Sequence, residues 1–251
     1  MLASRGREVP VQNHPTTAMT TDKNLRRTQA ERSSQTQDRV VDAAIDLLRS
    51  KGYAGFRIND VTDKAGVSRG AQSHHFPTKI SLVLAAFRKV YERSTEASRA
   101  RIAALKPEED VIHALMADAE DFFFGKDMSI GLDMLGAAGR EPELRSEAQE
   151  IARSNRLYIE SMWVKVLQER GLTKQDAEDL LWFVLSCVRG LAVRMLWQRD
   201  DMRFKKVLGL TYDTVVERYG LKPQAPAKTA KRNTKNAGAV KKSSDTNSTE
   251  K

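Results

Sequence analysis

Residues 58–79 read INDVTDKAGVSRGAQSHHFPTK, and this stretch decides the fold. Val61 and Ala65 give a short first helix one apolar edge. Gly66 stands where that helix must stop, because glycine accepts the left-handed conformation after a helix end. Val67 plugs the turn. Ser68 is a good N-cap for a second helix running to about His75. Pro77 ends that helix, and Thr78 can cap a third. Two short helices joined by a glycine turn form a helix-turn-helix, whose second helix enters the DNA major groove.

Working outward, Thr36 can cap a helix running to about Lys51. Val41, Ala44, Ile45 and Leu48 fall at i, i+3, i+4 and i+7, a core face. Gly52 ends this helix, and Tyr53 and Phe56 supply aromatic plugs. After Pro77 a long helix is expected from Thr78 to about Leu105. Its first half is heavily apolar and its second half more polar, as suits a helix that leaves one core and enters another. Further helices are expected at about 107–124, 129–138, 142–169, 174–199 and 202–219. Thr173 with Asp176 carries the N-terminal signal of the fourth of these. No alternating run argues for a strand, so the fold class is all-α.

Net charge is +9, and it is unevenly placed. Residues 1–36 carry +3, residues 37–90 carry +4, residues 91–220 carry −4 and residues 221–251 carry +6. A basic helix-turn-helix unit flanked by basic tails, on a neutral-to-acidic body, fits phosphate contact. Residues 1–34 are expected to be a disordered basic arm, within which Met19 offers an alternative start. Residues 221–251 are expected to be a disordered basic tail that adds non-specific DNA affinity through counterion release. The single cysteine, Cys187, excludes an intrachain disulfide and a thiolate metal cluster. No signal-peptide pattern is visible, and a reducing cytoplasm is the expected compartment, close to the nucleoid.

The motif AGVSRGAQSHHFPTK resembles the recognition-helix signature of the TetR family of one-component bacterial regulators. The resemblance is specific over about 35–91, and beyond that only the helical architecture matches. It implies a DNA-binding domain over 35–95 and a helical regulatory and dimerisation domain over 96–220. It implies a homodimer through about 174–219, in which two C-terminal helices of each subunit form a four-helix interface. A dimer presents two recognition helices about 34–36 Å apart to a near-palindromic operator on double-stranded DNA. The expected function is a ligand-responsive repressor.

By position in the motif, the residues expected at DNA are Ser68, Arg69, Gly70, Gln72, Ser73 and His74. Arg69 suits guanine O6 and N7, and Gln72 suits adenine N6 and N7. Gly70 lets backbone approach a phosphate. Lys79 and Arg57 suit phosphates, and Arg32 can anchor the N-terminal arm. His75 reads as a packed residue. Two departures from the family pattern stand out. Ser73 replaces a tyrosine that commonly packs on the sugar-phosphate backbone. Arg57 replaces a capping Ser or Thr.

The same resemblance puts an effector site in the C-terminal half. Helical domains place small-molecule pockets between helices, lined by apolar and aromatic side chains. Phe123, Met134, Met162, Trp163, Phe183 and Cys187 are the expected lining, suited to a small apolar or aromatic inducer. No cofactor or metal is expected, since His74–His75 lacks ligand spacing. The segment Leu180–Trp197 is apolar almost all round. Arg189 and Arg194 within it argue against a membrane span, because each costs several kcal/mol at a bilayer centre. Burial against a partner subunit accounts for it better. An alternative is a TetR-like interaction protein of the nucleoid-occlusion type, without small-molecule response. A third reading is a hydrolase, from the G-x-S-x-G match at Gly66–Gly70. That motif needs a strand before the serine, and a helical segment precedes it here.

Overall fold

The computed structural model describes residues 29–221, and among them there are nine helices and no strand. In chain order these are α1 (Gln29–Gly55), α2 (Ile58–Ala65), α3 (Arg69–His75), α4 (Lys79–Ala104) and α5 (Val111–Phe123). There follow α6 (Met128–Ala138), α7 (Pro142–Glu169), α8 (Lys174–Met195) and α9 (Asp201–Tyr219). Met19, most of the N-terminal arm and the tail beyond residue 221 lie outside the described residues.

The punctuation read from sequence is made by side chains and backbone. Gly66 takes φ 62°, ψ 43° after α2, and its N–H returns to the carbonyls of Asp63 and Thr62. Ser68 Oγ accepts from Ala71 N at 3.2 Å and opens α3. Thr78 and Ser81 form a reciprocal capping box at the start of α4. Thr173 Oγ1 accepts from Asp176 N at 3.1 Å and opens α8.

Two expectations at α1 are corrected. The helix starts at Gln29, so residues 29–34 are helical rather than a disordered arm. Thr36 is no cap: its hydroxyl donates to the Arg32 carbonyl at 2.9 Å, inside the helix. A threonine hydroxyl can bond the carbonyl four residues back as readily as it caps, and polar flanks hide the extension. Gly52 breaks the helix with φ 65°, ψ 179°, which turns the chain so that Tyr53 and Phe56 become buried.

Arg57 precedes α2 with an extended backbone and makes no capping bond. Its guanidinium donates instead to the Ala54 carbonyl at 3.2 Å. Arg57→Ser is therefore expected to stabilise the protein by about 1 kcal/mol. A denaturant melt checks this, and an unchanged midpoint refutes it.

Two hydrophobic clusters organise the molecule. The first joins α1, α2 and α4 through Val40, Ala44, Ile45, Val61, Leu82 and Phe87. It also takes in Met134 of α6 and Leu144, Ala148 and Ile151 of α7. The second joins α5, the C-terminal half of α7, α8 and α9, around Ile112, Leu115, Trp163, Leu167, Leu180 and Val184. The long helices α4 and α7 lie side by side and connect the two. The domain boundary expected near residue 95 thus falls inside α4, and the first core extends across it.

Candidate functional site

The first candidate surface is α3. Arg69 is its first residue, exposed, with no hydrogen bond or ion pair among the described residues. Ser68, Gly70, Ser73 and His74 are exposed beside it. A Cβ on Gly70 would meet only Ser68 Oγ, at 4.0 Å, so packing inside the chain does not require glycine there. That leaves its bare backbone free for close approach from outside. Ser73 Oγ donates to the Gly70 carbonyl at 3.2 Å. His75 is half-buried, with its ring 6.3 Å from Phe76, as a packed residue should be. Arg57 and Arg32 are exposed, Arg32 on α1 rather than on a free arm.

Two expected DNA contacts are turned elsewhere. Gln72 is 3% exposed, and its amide nitrogen donates to the Phe76 carbonyl at 2.6 Å. This bond satisfies the carbonyl that ends α3, so the side chain is buried and serves the fold. Gln72→Ala should cost about 1–3 kcal/mol of stability, because it strands a buried carbonyl. Its base preference, measured on the folded fraction, should be unchanged. A shifted base preference would restore Gln72 as a reader. Lys79 is the second case: its Nζ donates to the Tyr53 carbonyl at 2.9 Å and lies 4.1 Å from that ring's centroid. The ammonium is thereby drawn back onto the turn after α1.

Tyr53 is held from the other side by α6 and by the start of α7. Its N–H, freed by the Gly52 break, donates to Asp133, and its hydroxyl donates to Glu141. Burial, then the bonded Glu141, push the Tyr53 hydroxyl far above its ordinary pKa, so it stays a donor. Arg49 of α1 pairs with Asp127 at 2.5 Å. Polar contacts thus tie α6 to the helix that carries the helix-turn-helix.

The second candidate site is a partly open cavity of about 690 Å³ between α4–α8. Its walls are mostly apolar, with Phe87, Phe122, Phe123, Met128, Met134 and Trp163 among them. Phe123, Met134 and Trp163 fall where sequence placed them. Met162, Phe183 and Cys187 do not line the cavity. On α8 the cavity face is Leu181, Leu185, Arg189 and Val193, spaced by four residues. Phe183 and Cys187 lie two residues off that row, hence on the opposite face. Met162 is rotated away by one position from Trp163.

The cavity has a polar seam. Asp118 accepts from Trp163 Nε1 at 2.7 Å and from Ser98 Oγ at 2.9 Å. Ser98 belongs to α4, so this carboxylate links the cavity wall to the long helix. Burial raises the Asp118 pKa, against the lowering effect of the Trp163 and Ser98 bonds and of Arg101. Arg156 Nε pairs with Glu160 at 2.6 Å. The Arg156 and Arg189 guanidiniums lie 5.8 and 5.4 Å from the Phe123 ring centroid. Sequence reasoning missed Asp118, Arg156 and Arg189. A charged residue spaced by four from apolar neighbours along α8 was the available signal for Arg189.

Residues 40–86 match the family model described as "Bacterial regulatory proteins, tetR family". Over 194 residues the chain is 56% identical to the HTH-type transcriptional regulator CymR of Pseudomonas putida, covering 77% of this chain and 96% of that protein. The chain belongs to the TetR family. TetR-family regulators bind DNA and typically act as dimers, so this chain is a DNA-binding transcriptional regulator. Solved structures agree in fold. A transcriptional regulator from Rhodococcus sp. Rha1 superposes with TM-score 0.57 at 22% identity, covering 72% of this chain and 96% of that one. A TetR-family regulator from Cytophaga hutchinsonii gives 0.59 at 17% identity, covering 77% and 98%.

In this TetR-family chain the G-x-S-x-G match has an ordinary structural explanation. A helix, α2, precedes Ser68, and the serine oxygen caps α3. No helix among the described residues is long and apolar enough to cross a membrane. The apolar run on α8 instead divides between two surfaces. Leu180, Leu181, Val184 and Val188 are buried in the second core. Trp182, Phe183 and Trp197 are 69%, 44% and 78% exposed.

Proposed function

We propose that this protein is a ligand-responsive transcriptional repressor that binds a near-palindromic operator as a homodimer. The observation that carries the ligand response is the cavity, because its walls include the helix that holds the DNA-reading unit. Phe87, Val90, Tyr91 and Ser98 of α4 line it. A cavity of this size, apolar with few polar groups, has the character of a small-molecule site. It favours a regulator over an interaction protein without small-molecule response.

Dimerisation runs through about 174–219, where α8 and α9 leave large apolar side chains exposed. An apolar patch of that kind on a water-facing helix pair marks an interface. Residues 35–95 act as the DNA-binding domain and 96–220 as the regulatory and dimerisation domain. The protein works in the cytoplasm and catalyses no reaction. At DNA, Arg69 reads a base edge. Ser68, Gly70, Ser73, His74, Arg57 and Arg32 position the helix on the backbone, without base specificity of their own.

The mechanism is a two-state equilibrium. In the empty state the two α3 helices match the half-site spacing. An effector that binds better to a state with α4 tilted shifts the population toward it, by its differential affinity for the two states and no more. The ties from α6 to α1, through Asp133 with Tyr53 and Asp127 with Arg49, offer a second route for the same movement. The test is to map genomic binding sites and add the compounds handled by the adjacent genes. Release of operator by one of them is the expected result. Many scattered sites with no releasing compound would favour the interaction protein.

A further inference from the structure

The cavity row on α8 does not stay on one side of its helix. Residues spaced by four advance about 40° around an α-helix at each step, because a turn holds 3.6 residues. Leu181, at the start of the row, is 1% exposed, Leu185 is half-buried and Arg189 is exposed. The row therefore winds out of the core, and at Arg189 and Val193 it has reached the outer face. Trp182 and Ser186 are exposed and precede Arg189 and Val193 by seven residues each. Residues seven apart on a helix share a face. One stripe thus holds an exposed tryptophan and the last two cavity residues of α8.

The cavity is also open along this edge. α6 packs on α1 and α7, and α8 packs on α5, α7 and α9, so the wall is least closed between α6 and α8. Leu135 of α6, Arg153 of α7 and Arg189 of α8 line the cavity and are exposed. Beside the stripe stands Gly190, exposed and inside α8. A Cβ there would meet nothing within 4 Å. The single chain thus has no packing reason for a residue that weakens a helix interior. Phe183 and Trp197, 44% and 78% exposed, lie seven residues before and after it.

We propose that a second copy of this chain completes the cavity. In the dimer its α8 crosses at Gly190 and closes the edge formed by Arg189 and Val193, so each effector site has walls from two chains. This rests on the dimer and the effector cavity proposed above, which the α8 stripe joins. A partner that covers Trp182 covers Arg189 and Val193 as well, because they share its face. A two-fold interface uses the same patch on both copies, and a crossing at Gly190 places α8 against α8. Glycine at the crossing lets the two backbones approach, and the aromatic side chains of both copies fill the space on either side. The consequence is linkage: occupancy of the cavity and dimerisation strengthen each other by one common factor.

The test needs no effector. In the full chain carrying Cys187→Ser, Val193→Cys supplies one thiol at the shared edge. Its modification by N-ethylmaleimide, followed by mass spectrometry, is expected to be several-fold slower in the dimer than in the monomer made by adding Trp182→Glu and Phe183→Glu. Nile red, a neutral apolar dye, is expected to bind the dimer about tenfold more tightly than the monomer, within the usual range of coupling between sites. At saturation it should lower the dimer dissociation constant of the unaltered chain by the same factor, a measurement that stands if the glutamate variant fails to fold. Gly190→Leu favours the helix and should nonetheless weaken the dimer. Equal thiol rates in dimer and monomer overturn the shared wall and leave the dimer standing. A dimer constant unmoved by bound dye overturns it as well. A dye bound by neither form sinks the small-molecule reading instead, and the thiol rates then decide the shared wall alone. An unaltered chain that is monomeric at micromolar concentration sinks the dimer reading and this proposal with it.

Discussion

Arg69→Ala is expected to lower operator affinity at least tenfold while leaving binding to scrambled DNA of the same length almost unchanged. Arg69 opens α3 and is exposed, and nothing within the described chain engages its guanidinium. An arginine left free at the start of a recognition helix is positioned for the bidentate contact to guanine. Such a contact is worth about 1–3 kcal/mol of discrimination against the wrong base. A dimer makes it twice, once in each half-site. Non-specific affinity comes from many phosphate contacts, of which this substitution removes at most one, so its salt dependence should change little. The fold should survive, because the side chain packs against nothing. Titration of operator and scrambled duplexes at one salt concentration checks the result. An unchanged operator-to-scrambled ratio would mean that another residue reads the sequence.

Trp182→Glu combined with Phe183→Glu is expected to yield a monomer at micromolar concentration. Both side chains project from α8 and stay largely exposed in the single chain, beside the buried row of Leu180, Leu181 and Val184. The two faces of one helix therefore serve two purposes. One packs on α5 and α7, and the other is exposed and meets the partner in the dimer proposed above. Aromatic residues are enriched at the energetic centres of interfaces, and placing two charges there leaves them unpaired when the surfaces meet. A monomer holds one recognition helix and cannot span two half-sites, so operator affinity should fall by orders of magnitude. Sedimentation and operator titration test the two halves of this expectation. A dimer that persists with both glutamates in place would move the interface away from α8. Loss of the native fold is not expected, since neither side chain contributes to the core.

Much of this architecture was legible along the chain, for a definite reason. Helix ends are local events. Gly66, Ser68, Thr78 and Thr173 act within four residues of themselves, so a linear reading locates them. The core row Val41, Ala44, Ile45 and Leu48 is equally local, because a 3.6-residue period marks one face of one helix. The start of α1 was missed because Thr36 can bond within a helix as well as cap one.

The site was legible only in part. Arg69, picked out by its place in the motif, is exposed at the start of α3. Gln72 sits three residues later on the same short helix and carries an amide suited to adenine. Yet it turns inward, because the Phe76 carbonyl needs a donor. Lys79 is drawn to Tyr53 because Gly52 has bent the chain and exposed that carbonyl. Neither choice is visible until distant residues are brought together.

The sequence by itself determined that this protein is all-α, that residues 58–79 form a helix-turn-helix, and that its basic charge gathers there and in the tails. Periodicity, capping chemistry and charge act over one or two helical turns, and the chain displays them directly. Only the tertiary structure decided which face of α8 meets the cavity and which meets solvent. On a helix apolar all round, no period distinguishes core, cavity and interface. A cavity is a space between five helices, and an exposed face is the absence of a neighbour. Both arise only when the helices pack.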